Sequence, residues 1–377
     1  MDKRVMLAVA GAGKTYWICH ELDVTKRNLI IAYTHQNIKN IKNELRSAHG
    51  KIPQNTTVMT FHSFVYQCFL CPYEKVILEH FSIKQFERNG LTMDNPPAQR
   101  IKRKNKWISN PLYKPDHTFE HYVKFNSYYC DHITKLIIKA NTRQNKLINR
   151  AVKSIGMFFD CIYVDEFQDF REYDFALLEK IIKKCKGFVA VGDYYQHSVN
   201  AKNNTGKPLK IGIRDVTYAE YLDFLKSLKL DVDTETLKKT RRCPQTICEF
   251  VNEKLNIIIS AENKHHGTVK FICEDKDIIN VLSDPHIMKL VYSEASKYNF
   301  VCLNWGYSKG DTYPAVCVIL TESFSSIGSK DFSCTHGKIG RSTINKLYVA
   351  MTRTKGDLYL IAKTDFDRVK LPYLKFP

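Results

Sequence analysis

The sequence predicts an α/β fold with parallel sheets, and three observations support this prediction. Short apolar runs alternate with helical patterns, a loop of small residues joins the first run to a helix, and a later run ends in two adjacent carboxylates. Such alternation is typical of a parallel sheet covered by helices. The predicted strands are Val5 to Ala8, Leu29 to Ala32, Thr57 to Met59, Phe158 to Val164, Phe188 to Val191, Val269 to Ile272, Phe300 to Leu303, Ala315 to Leu320 and Leu358 to Ala362.

Length and composition limit the class of protein. A chain of 377 residues predicts two or three domains, and 44% hydrophobic with 25% charged residues excludes a disordered chain or a coiled coil. The formal net charge of +18 favours a polyanionic partner, either nucleic acid or an anionic membrane surface. No apolar run reaches the roughly 18 residues of a membrane span, so we expect no membrane partner and a cytoplasmic location, in the host cell if a phage encodes the protein.

The domain organisation follows from where the alternation breaks. Between residues 71 and 150 the chain becomes rich in Lys, Asn and Tyr, contains Pro96, Pro97, Pro111 and Pro115, and loses strand periodicity. We therefore predict a discontinuous first domain of residues 1–70 and 151–215, with a mainly helical insertion of residues 71–150. The second α/β domain is expected to span residues 216–377.

The loop after the first strand has the composition of a phosphate-binding loop. It contains Ala10, Gly11, Ala12, Gly13, Lys14 and Thr15 and is followed by a helical pattern. Small residues let backbone N–H groups surround a triphosphate, the helix N-terminus adds positive charge, Lys14 neutralises phosphate oxygens and Thr15 can bind Mg²⁺. The strict pattern has Gly where this chain has Ala8.

The run from Phe158 to Val164 ends in Asp165 and Glu166. Parallel sheets bind ligands at the carboxyl ends of their strands, so these two carboxylates point to the same site as the loop. We expect Asp165 to hold the magnesium ion and Glu166 to orient or deprotonate the attacking water in ATP hydrolysis.

The 12 cysteines are scattered singly and are interpreted as reduced thiols. One group leaves two interpretations open. Cys68, Cys71, His117 and His121 could form a zinc site, because the two histidines are spaced for one helix face. Alternatively Cys68, which lies in an apolar stretch, is an ordinary packing residue.

Eight segments occur in an order that resembles superfamily 1 helicases of the UvrD/Rep type, and the match spans nearly the whole chain. These segments are Ala10–Thr15, Ala32–His35, Thr60–Phe64, Val164–Asp169, Val191–Gln196, Leu237–Arg242, Ser308–Gly310 and Leu347–Lys355. Only 66 positions separate Arg242 from Ser308 (308 − 242), too few for the family's large second insertion. The resemblance therefore implies a compact form with two RecA-like P-loop domains and one insertion.

The resemblance also implies roles for individual residues. ATP would lie between the domains, with Gln196 sensing the γ-phosphate and Arg242 and Arg353 stabilising charge in the transition state. Arg241 replaces the aromatic residue that stacks on adenine in the family. The family's upstream glutamine motif, which reads adenine, has no counterpart before the loop.

The family binds single-stranded DNA across both domains, which implies a second set of residues. Tyr33, Thr34, Thr60, Phe61 and His62 match strand-contacting motifs, although Phe61 could equally be a core residue. Trp305, in a segment without the family's usual phosphate contacts, could supply a stacking face. The basic run of residues 100–106 followed by Trp107 suits a single-strand groove or, alternatively, a solvated face.

Two functions remain open at this point. The first is an ATP-dependent translocase or helicase on single-stranded nucleic acid, with DNA favoured over RNA. The second is a nucleic-acid-stimulated ATPase switch that serves a protein partner, such as a nuclease or replication factor, without unwinding by itself. A degenerate binding module is disfavoured, because Lys14, Thr15, Asp165, Glu166 and both arginines are present.

Overall fold

The computed structural model describes residues 3–197, 206–334 and 339–375. Its strands, in chain order, are β1 (Lys3–Leu7), β2 (Asn28–Ala32), β3 (Thr56–Thr60), β4 (Gly90–Thr92), β5 (Arg100–Arg103), β6 (Lys106–Ser109), β7 (Val123–Lys124), β8 (Ser127–Tyr129), β9 (Cys161–Val164), β10 (Gly187–Gly192), β11 (Lys210–Ile211), β12 (Arg214–Asp215), β13 (Asp231–Asp233), β14 (Lys239–Thr240), β15 (Ser260–Ala261), β16 (Val269–Phe271), β17 (Ile287–Val291), β18 (Cys302–Asn304), β19 (Ala315–Ile319) and β20 (Leu358–Ile361).

The α-helices connect these strands. In chain order they are α1 (Lys14–His20), α2 (His35–His49), α3 (Phe61–Val65), α4 (Cys71–His80), α5 (Ile133–Ala140), α6 (Leu147–Phe158), α7 (Glu172–Lys184), α8 (Tyr218–Ser227), α9 (Gln245–Leu255), α10 (Asp275–Ser283), α11 (Arg341–Met351) and α12 (Lys363–Val369). A π-helical turn, Tyr66–Leu70, joins α3 to α4.

The larger strands form two parallel sheets, which confirms the predicted α/β fold. The first sheet has the strand order β13-β1-β10-β9-β2-β3, and the second has the order β16-β20-β19-β17-β18. Every strand pair in both sheets is parallel. All five residues of β2 are buried, as expected for a strand with helices on both faces of its sheet.

Two strands of these two sheets lie outside the sequence prediction. β17 occupies the interior of the second sheet but contains Lys289, whose ammonium group donates to the carbonyl of Asp284 at 2.5 Å, so its charge interrupts the apolar run. β13 is only three residues long and pairs with β1. Because β13 belongs to the first sheet, the predicted boundary between residues 215 and 216 is too early, and the first lobe continues to Asp233.

The insertion is anchored to the first lobe by a shared hydrophobic core. Helices α4 and α5 and the start of α6 fall within residues 71–150, and five short strands, β4 to β8, accompany them. Buried residues of the insertion, including Tyr122, Tyr128 and Leu136, pack in the same cluster as Leu29 and Val164 of the first sheet.

The two lobes also share a core. One continuous cluster of buried side chains contains Met6 and Val191 of the first sheet together with Val316 and Tyr348 of the second lobe. The carboxyl ends of β1, β9 and β10 face the second lobe, which contacts the loop after β1. Within the described residues, no helix has the length and apolar character needed to cross a membrane.

Candidate functional site

The predicted phosphate loop connects β1 to α1, and backbone groups of the second lobe form hydrogen bonds with it. The backbone N–H of Val9 donates to the carbonyl of Leu237 at 3.0 Å, and that of Arg241 donates to the carbonyl of Gly11 at 2.9 Å. Gly11 has φ +73°, and a Cβ there would lie 2.6 Å from Oγ1 of Thr240. Glycine at position 11 is thus required both by its left-handed backbone and by the close approach of the second lobe.

The two carboxylates lie directly beside the loop. Oγ1 of Thr15 donates to Oδ2 of Asp165 at 2.8 Å, and Nζ of Lys14 lies 3.7 Å from Oε1 of Glu166. Burial raises the pKa of Asp165 to about 6. Burial would also raise the pKa of Glu166, but the charges of Lys14 and Lys309 lower it to about 2. Glu166 is therefore ionised at neutral pH.

Lys309 brings a cation from the second lobe to the carboxylates of the first. Its Nζ lies 2.7 and 2.8 Å from the two carboxylate oxygens of Asp169 and 3.5 Å from Oε2 of Glu166. Sequence reasoning identified the segment around Lys309 but assigned this lysine no role. Its position within that segment was the available signal, and only the fold shows which carboxylates it reaches.

Gln196 belongs to a buried network at the end of β10. Nε2 of Gln196 donates to Oδ2 of Asp193 at 2.8 Å, and Oη of Tyr348 donates to the same oxygen at 3.3 Å. The Tyr348 hydroxyl in turn accepts from the backbone N–H of Ala10 at 2.8 Å. Burial raises the pKa of Asp193 to about 6. One tyrosine thus links the phosphate loop, the end of β10 and helix α11.

Gln168 connects this network to Glu166. Its Nε2 donates to Oε2 of Glu166 at 2.5 Å, while its Oε1 accepts from the backbone N–H of Asp193 at 2.9 Å. Glu166 itself has φ +53°, in the left-handed region that is uncommon for residues other than glycine. The side chain of Gln168 therefore helps to hold Glu166 in an unusual backbone conformation.

The junction of the two lobes around Lys14, Asp165 and Glu166 is here called the crevice. Both predicted arginines reach it from the second lobe. Arg353 is buried, with Nε donating to the carbonyl of Val349 at 2.8 Å and Nη1 to that of Asp311 at 3.3 Å. Its Nη2 has no hydrogen-bond partner among the described residues. Burial and the neighbouring charge of Arg242 lower the pKa of Arg353 to about 9.

Arg242 is held in the same crevice. Nη1 of Arg242 donates to the carbonyl of Thr352 at 3.1 Å. Burial lowers the pKa of Arg242, and the charge of Glu166 opposes this decrease for both arginines. A Cβ on Gly11 would lie 2.7 Å from Cβ of Arg242, so Arg242 packs against the phosphate loop.

Arg241 is exposed at the edge of the crevice. Its guanidinium carbon is 5.2 Å from the ring centre of Tyr16, and its Nε donates to Oε2 of Glu262 at 3.2 Å. A Cβ on Gly13 would lie 3.7 Å from Nη1 of Arg241. The sequence identified Arg241 but not Tyr16, whose ring on α1 contacts the Arg241 guanidinium.

The residues predicted to contact nucleic acid fall into two groups. Tyr33, Thr34, Thr60 and His62 lie at or just after the ends of β2 and β3; Thr34 and Thr60 each accept a backbone hydrogen bond that caps a helix. Tyr33 and His62 make an edge contact, with ring centres 5.2 Å apart.

Two aromatic predictions are corrected. Phe61 is 0% exposed and packs edge-on against Phe170. It is therefore a core residue and does not present its ring to a nucleic-acid strand. Trp305 is also 0% exposed, and its Nε1 donates to the carbonyl of Leu290 at 3.2 Å. The prediction that Trp305 presents a stacking face is wrong, because its ring is buried in the hydrophobic core beside Tyr292 and Phe324.

The zinc alternative gains no support. Among the residues that the structure describes, no group of three or more His, Cys, Asp or Glu side chains is arranged to hold a metal ion. His121 instead stacks on His132, with ring centres 4.4 Å apart, and its Nδ1 bonds the carbonyl of Lys114. All 12 cysteines are free thiols.

A small-residue loop after the first strand of a parallel sheet, with two carboxylates at a nearby strand end, defines the class of P-loop α/β proteins. The chain belongs to the AAA domain family (AAA_19), which matches residues 2–201. No curated protein matches the chain.

Helicases are among the solved structures that the comparison matches to this chain. Arterivirus nonstructural protein 10, a helicase, is 13% identical with a TM-score of 0.47, and the match covers 99% of this chain and 62% of that one. Its complex with DNA is 14% identical with a TM-score of 0.46, covering 99% and 63%. The PRRSV helicase is 13% identical with a TM-score of 0.44, covering 100% and 55%. This chain thus spans about three fifths of the length of arterivirus nonstructural protein 10.

His197 allows a test of packing beside the site. Its backbone carbonyl accepts from Nδ2 of Asn345 at 3.0 Å, and burial lowers the pKa of the imidazole to about 3. Between pH 6.5 and 3 the unfolded chain binds a proton that the folded protein does not, so stability is lost as the pH falls below about 6.5. We expect this imidazole to account for about 2 kcal/mol of the stability lost between pH 7 and 5.

The measurement compares free energies of unfolding at the two pH values for the wild type and His197→Gln. The pH-dependent loss is expected to be smaller in the variant, whatever its stability at pH 7. Substitution of the exposed His286 by Gln is the matched control and should leave the loss unchanged. An equal loss in His197→Gln and the wild type would show that the folded protein already accepts this proton.

Proposed function

We propose that the protein is an ATP-dependent translocase or helicase of the UvrD/Rep type that acts on single-stranded nucleic acid, with DNA as the expected track. One observation carries the hydrolytic part of the proposal. Lys14, Thr15, Asp165 and Glu166 of the first lobe meet Arg242, Lys309 and Arg353 of the second lobe in one crevice. Phosphoryl transfer depends on positioning and charge neutralisation, which such a crevice supplies.

The first lobe would bind the triphosphate. Backbone N–H groups of residues 10–13 and the ammonium group of Lys14 would donate to phosphate oxygens. The N–H of Ala10 would first leave the Tyr348 hydroxyl, and that of Ala12 would first leave the carbonyl of Val9. Nζ of Lys14 lies 3.7 Å from Oε1 of Glu166. A bound phosphate would therefore compete with Glu166 for the Lys14 ammonium group. Since that charge helps to keep the pKa of Glu166 low, nucleotide binding would raise this pKa and make Glu166 a better base.

The donors beside the loop fit a magnesium ion. Oγ1 of Thr15 and Oδ2 of Asp165 lie 2.8 Å apart. Oxygen atoms are the ligands that Mg²⁺ prefers. When bound, the ion would neutralise charge on the β- and γ-phosphates. Thr15 and Asp165 are therefore the residues that we propose hold it.

The second lobe would complete the site. Arg353 is fixed by two carbonyl groups yet keeps Nη2 without a partner among the described residues, so its guanidinium is already oriented. A buried, preorganised donor of this kind stabilises developing negative charge at little cost in reorganisation. Arg242 would act on the same charge, while Arg241 with Tyr16 would border the base.

Nucleic-acid binding is supported by the order of the eight motifs and by the net charge of +18. Tyr33, Thr34, Thr60 and His62 are the proposed strand contacts at the ends of β2 and β3. The buried positions of Phe61 and Trp305 remove these two rings from the proposed set.

Steady-state ATP hydrolysis measured with single-stranded DNA, duplex DNA and RNA at two salt concentrations tests the proposal. We expect single-stranded DNA to stimulate hydrolysis most, and the stimulation to weaken as salt rises, because phosphate contacts release counterions. Hydrolysis that ignores every polynucleotide would contradict the proposal. Stimulation without strand displacement would favour the alternative, an ATPase switch that serves a protein partner.

A further inference from the structure

The β5–β6 hairpin of the insertion is a strongly cationic surface outside the crevice. Residues 100–106 carry five cations and no acid: Arg100, Lys102, Arg103, Lys104 and Lys106. Every residue of both strands is exposed. None of the five cations makes an ion pair or a side-chain hydrogen bond with the described part of the chain. Their charges are therefore available to a partner.

An exposed aromatic ring accompanies these charges. Trp107 is 64% exposed and lies directly opposite Lys102 in the antiparallel register, with Arg100 two residues along the same face. Opposed residues of an antiparallel pair lie on the same side of the ribbon. One face of the hairpin thus presents an indole ring flanked by two cations.

The hairpin is built at an electrostatic cost. Its other face places Arg103 opposite Lys106, and like charges at directly opposed positions destabilise a ribbon. Lys104 and Asn105 form the two-residue turn, both with positive φ, so the cations of the strands converge at its tip. A polyanion lying across the tip would relieve this repulsion.

We infer that the β5–β6 hairpin binds a single-stranded segment of nucleic acid, with its cations on phosphates and Trp107 stacked on a base. The inference rests on the proposed function and adds a contact surface beyond the crevice and the ends of β2 and β3. Cations supply sequence-independent attraction, and an exposed indole adds stacking that only an unpaired base can use fully. An aromatic ring would gain little from duplex phosphates, so the ring favours a single strand.

Binding of labelled oligo(dT), measured by fluorescence anisotropy over a range of salt, tests the charges. The triple variant Lys102→Gln, Lys104→Gln, Lys106→Gln is expected to bind more weakly, with a slope of log affinity against log salt lower by about 2, since each phosphate contact contributes about 0.7. The matched control replaces Lys226, Lys229 and Lys276, exposed lysines elsewhere, by Gln and removes the same charge. An unchanged slope in the hairpin variant, or an equal decrease in the control, would overturn the inference.

The ring is tested separately. Trp107→Ala is expected to weaken oligo(dT) binding about 5- to 100-fold at every salt concentration, and Trp107→Phe to restore most of it. Phe125→Ala is the control, because Phe125 is 85% exposed on the same insertion but its neighbour Lys124 is neutralised by Asp94 at 2.6 Å. Loss of affinity in the lysine variant without any effect of Trp107→Ala would overturn the assignment of a single strand.

Two further measurements separate this inference from the proposed function. Hydrolysis without nucleic acid should be unchanged in all hairpin variants, because the hairpin lies outside the crevice. A wild type that binds no oligonucleotide would overturn the proposed function, whereas a wild type that binds and a hairpin variant that binds equally would overturn only the inference. Loss of binding to phosphatidylserine vesicles with unchanged oligo(dT) binding would assign the surface to a membrane instead.

Discussion

Replacing Glu166 by Gln is expected to lower the rate of ATP turnover by a factor of about 10² to 10⁴ and to leave nucleotide binding intact. Gln keeps the shape of the side chain and can still bond to Gln168, but it has no carboxylate to accept a proton from water. Loss of the negative charge also frees Lys14 and Lys309 from Glu166. Steady-state ATP hydrolysis measures turnover, and equilibrium binding of a fluorescent ATP analogue measures nucleotide affinity.

The control for Glu166→Gln is Glu235→Gln, which removes an exposed carboxylate paired with Lys238. It should leave turnover unchanged. If Glu166→Gln hydrolyses ATP at the wild-type rate, another group accepts the proton and the assignment of Glu166 is wrong. Loss of binding together with turnover would instead indicate that Glu166 maintains the loop.

Removing the Arg353 guanidinium is expected to reduce turnover by a factor of about 10³ to 10⁵, the range known for arginine fingers. Arg353 has one nitrogen without a partner among the described residues and faces the charge of Glu166 from the second lobe. Arg353→Lys keeps a cation but loses the planar donor pair, so it should be impaired nearly as strongly as Arg353→Ala. Turnover under saturating ATP measures the effect.

Arg353 is buried, so loss of folding must be separated from loss of chemistry. Thermal unfolding of Arg353→Lys and Arg353→Ala identifies any structural damage, and ATP binding by the folded variant shows that the loop is intact. The exposed Arg214→Lys serves as the control. Wild-type turnover in a folded Arg353→Ala variant would remove Arg353 from the proposed mechanism.

The elements that the sequence predicted best are those with an unbroken local pattern. The strands around Ile30 and Val164 are continuous apolar runs because both faces of the sheet are covered. β17 was missed because Lys289 buries its stem while its ammonium group bonds a carbonyl, a solution that no local pattern reveals. β13 was missed because three residues carry almost no periodicity.

The site likewise contains residues that a local sequence pattern predicts and contacts that only the packed fold defines. The loop and the two carboxylates follow from spacing along the chain, and ordered motifs located both arginines. The contacts of Lys309 with Asp169 and of Tyr348 with Ala10 join residues more than 100 positions apart, so only the packed lobes define them. Trp305 misled the prediction because an aromatic residue in a polar segment looks exposed, whereas its indole N–H is satisfied inside the core.

The hydrogen bond between Tyr348 and Ala10 has a thermodynamic consequence. An amide carries a single proton, so a phosphate oxygen that recruits the Ala10 N–H competes with the tyrosine hydroxyl for it. This competition is reciprocal. If displacing the Tyr348 hydroxyl weakens ligand binding by a given free energy, the bound ligand makes separation of α11 from the loop easier by the same free energy. Ligand binding to the loop and separation of the two lobes would thereby be coupled through the single N–H donor of Ala10.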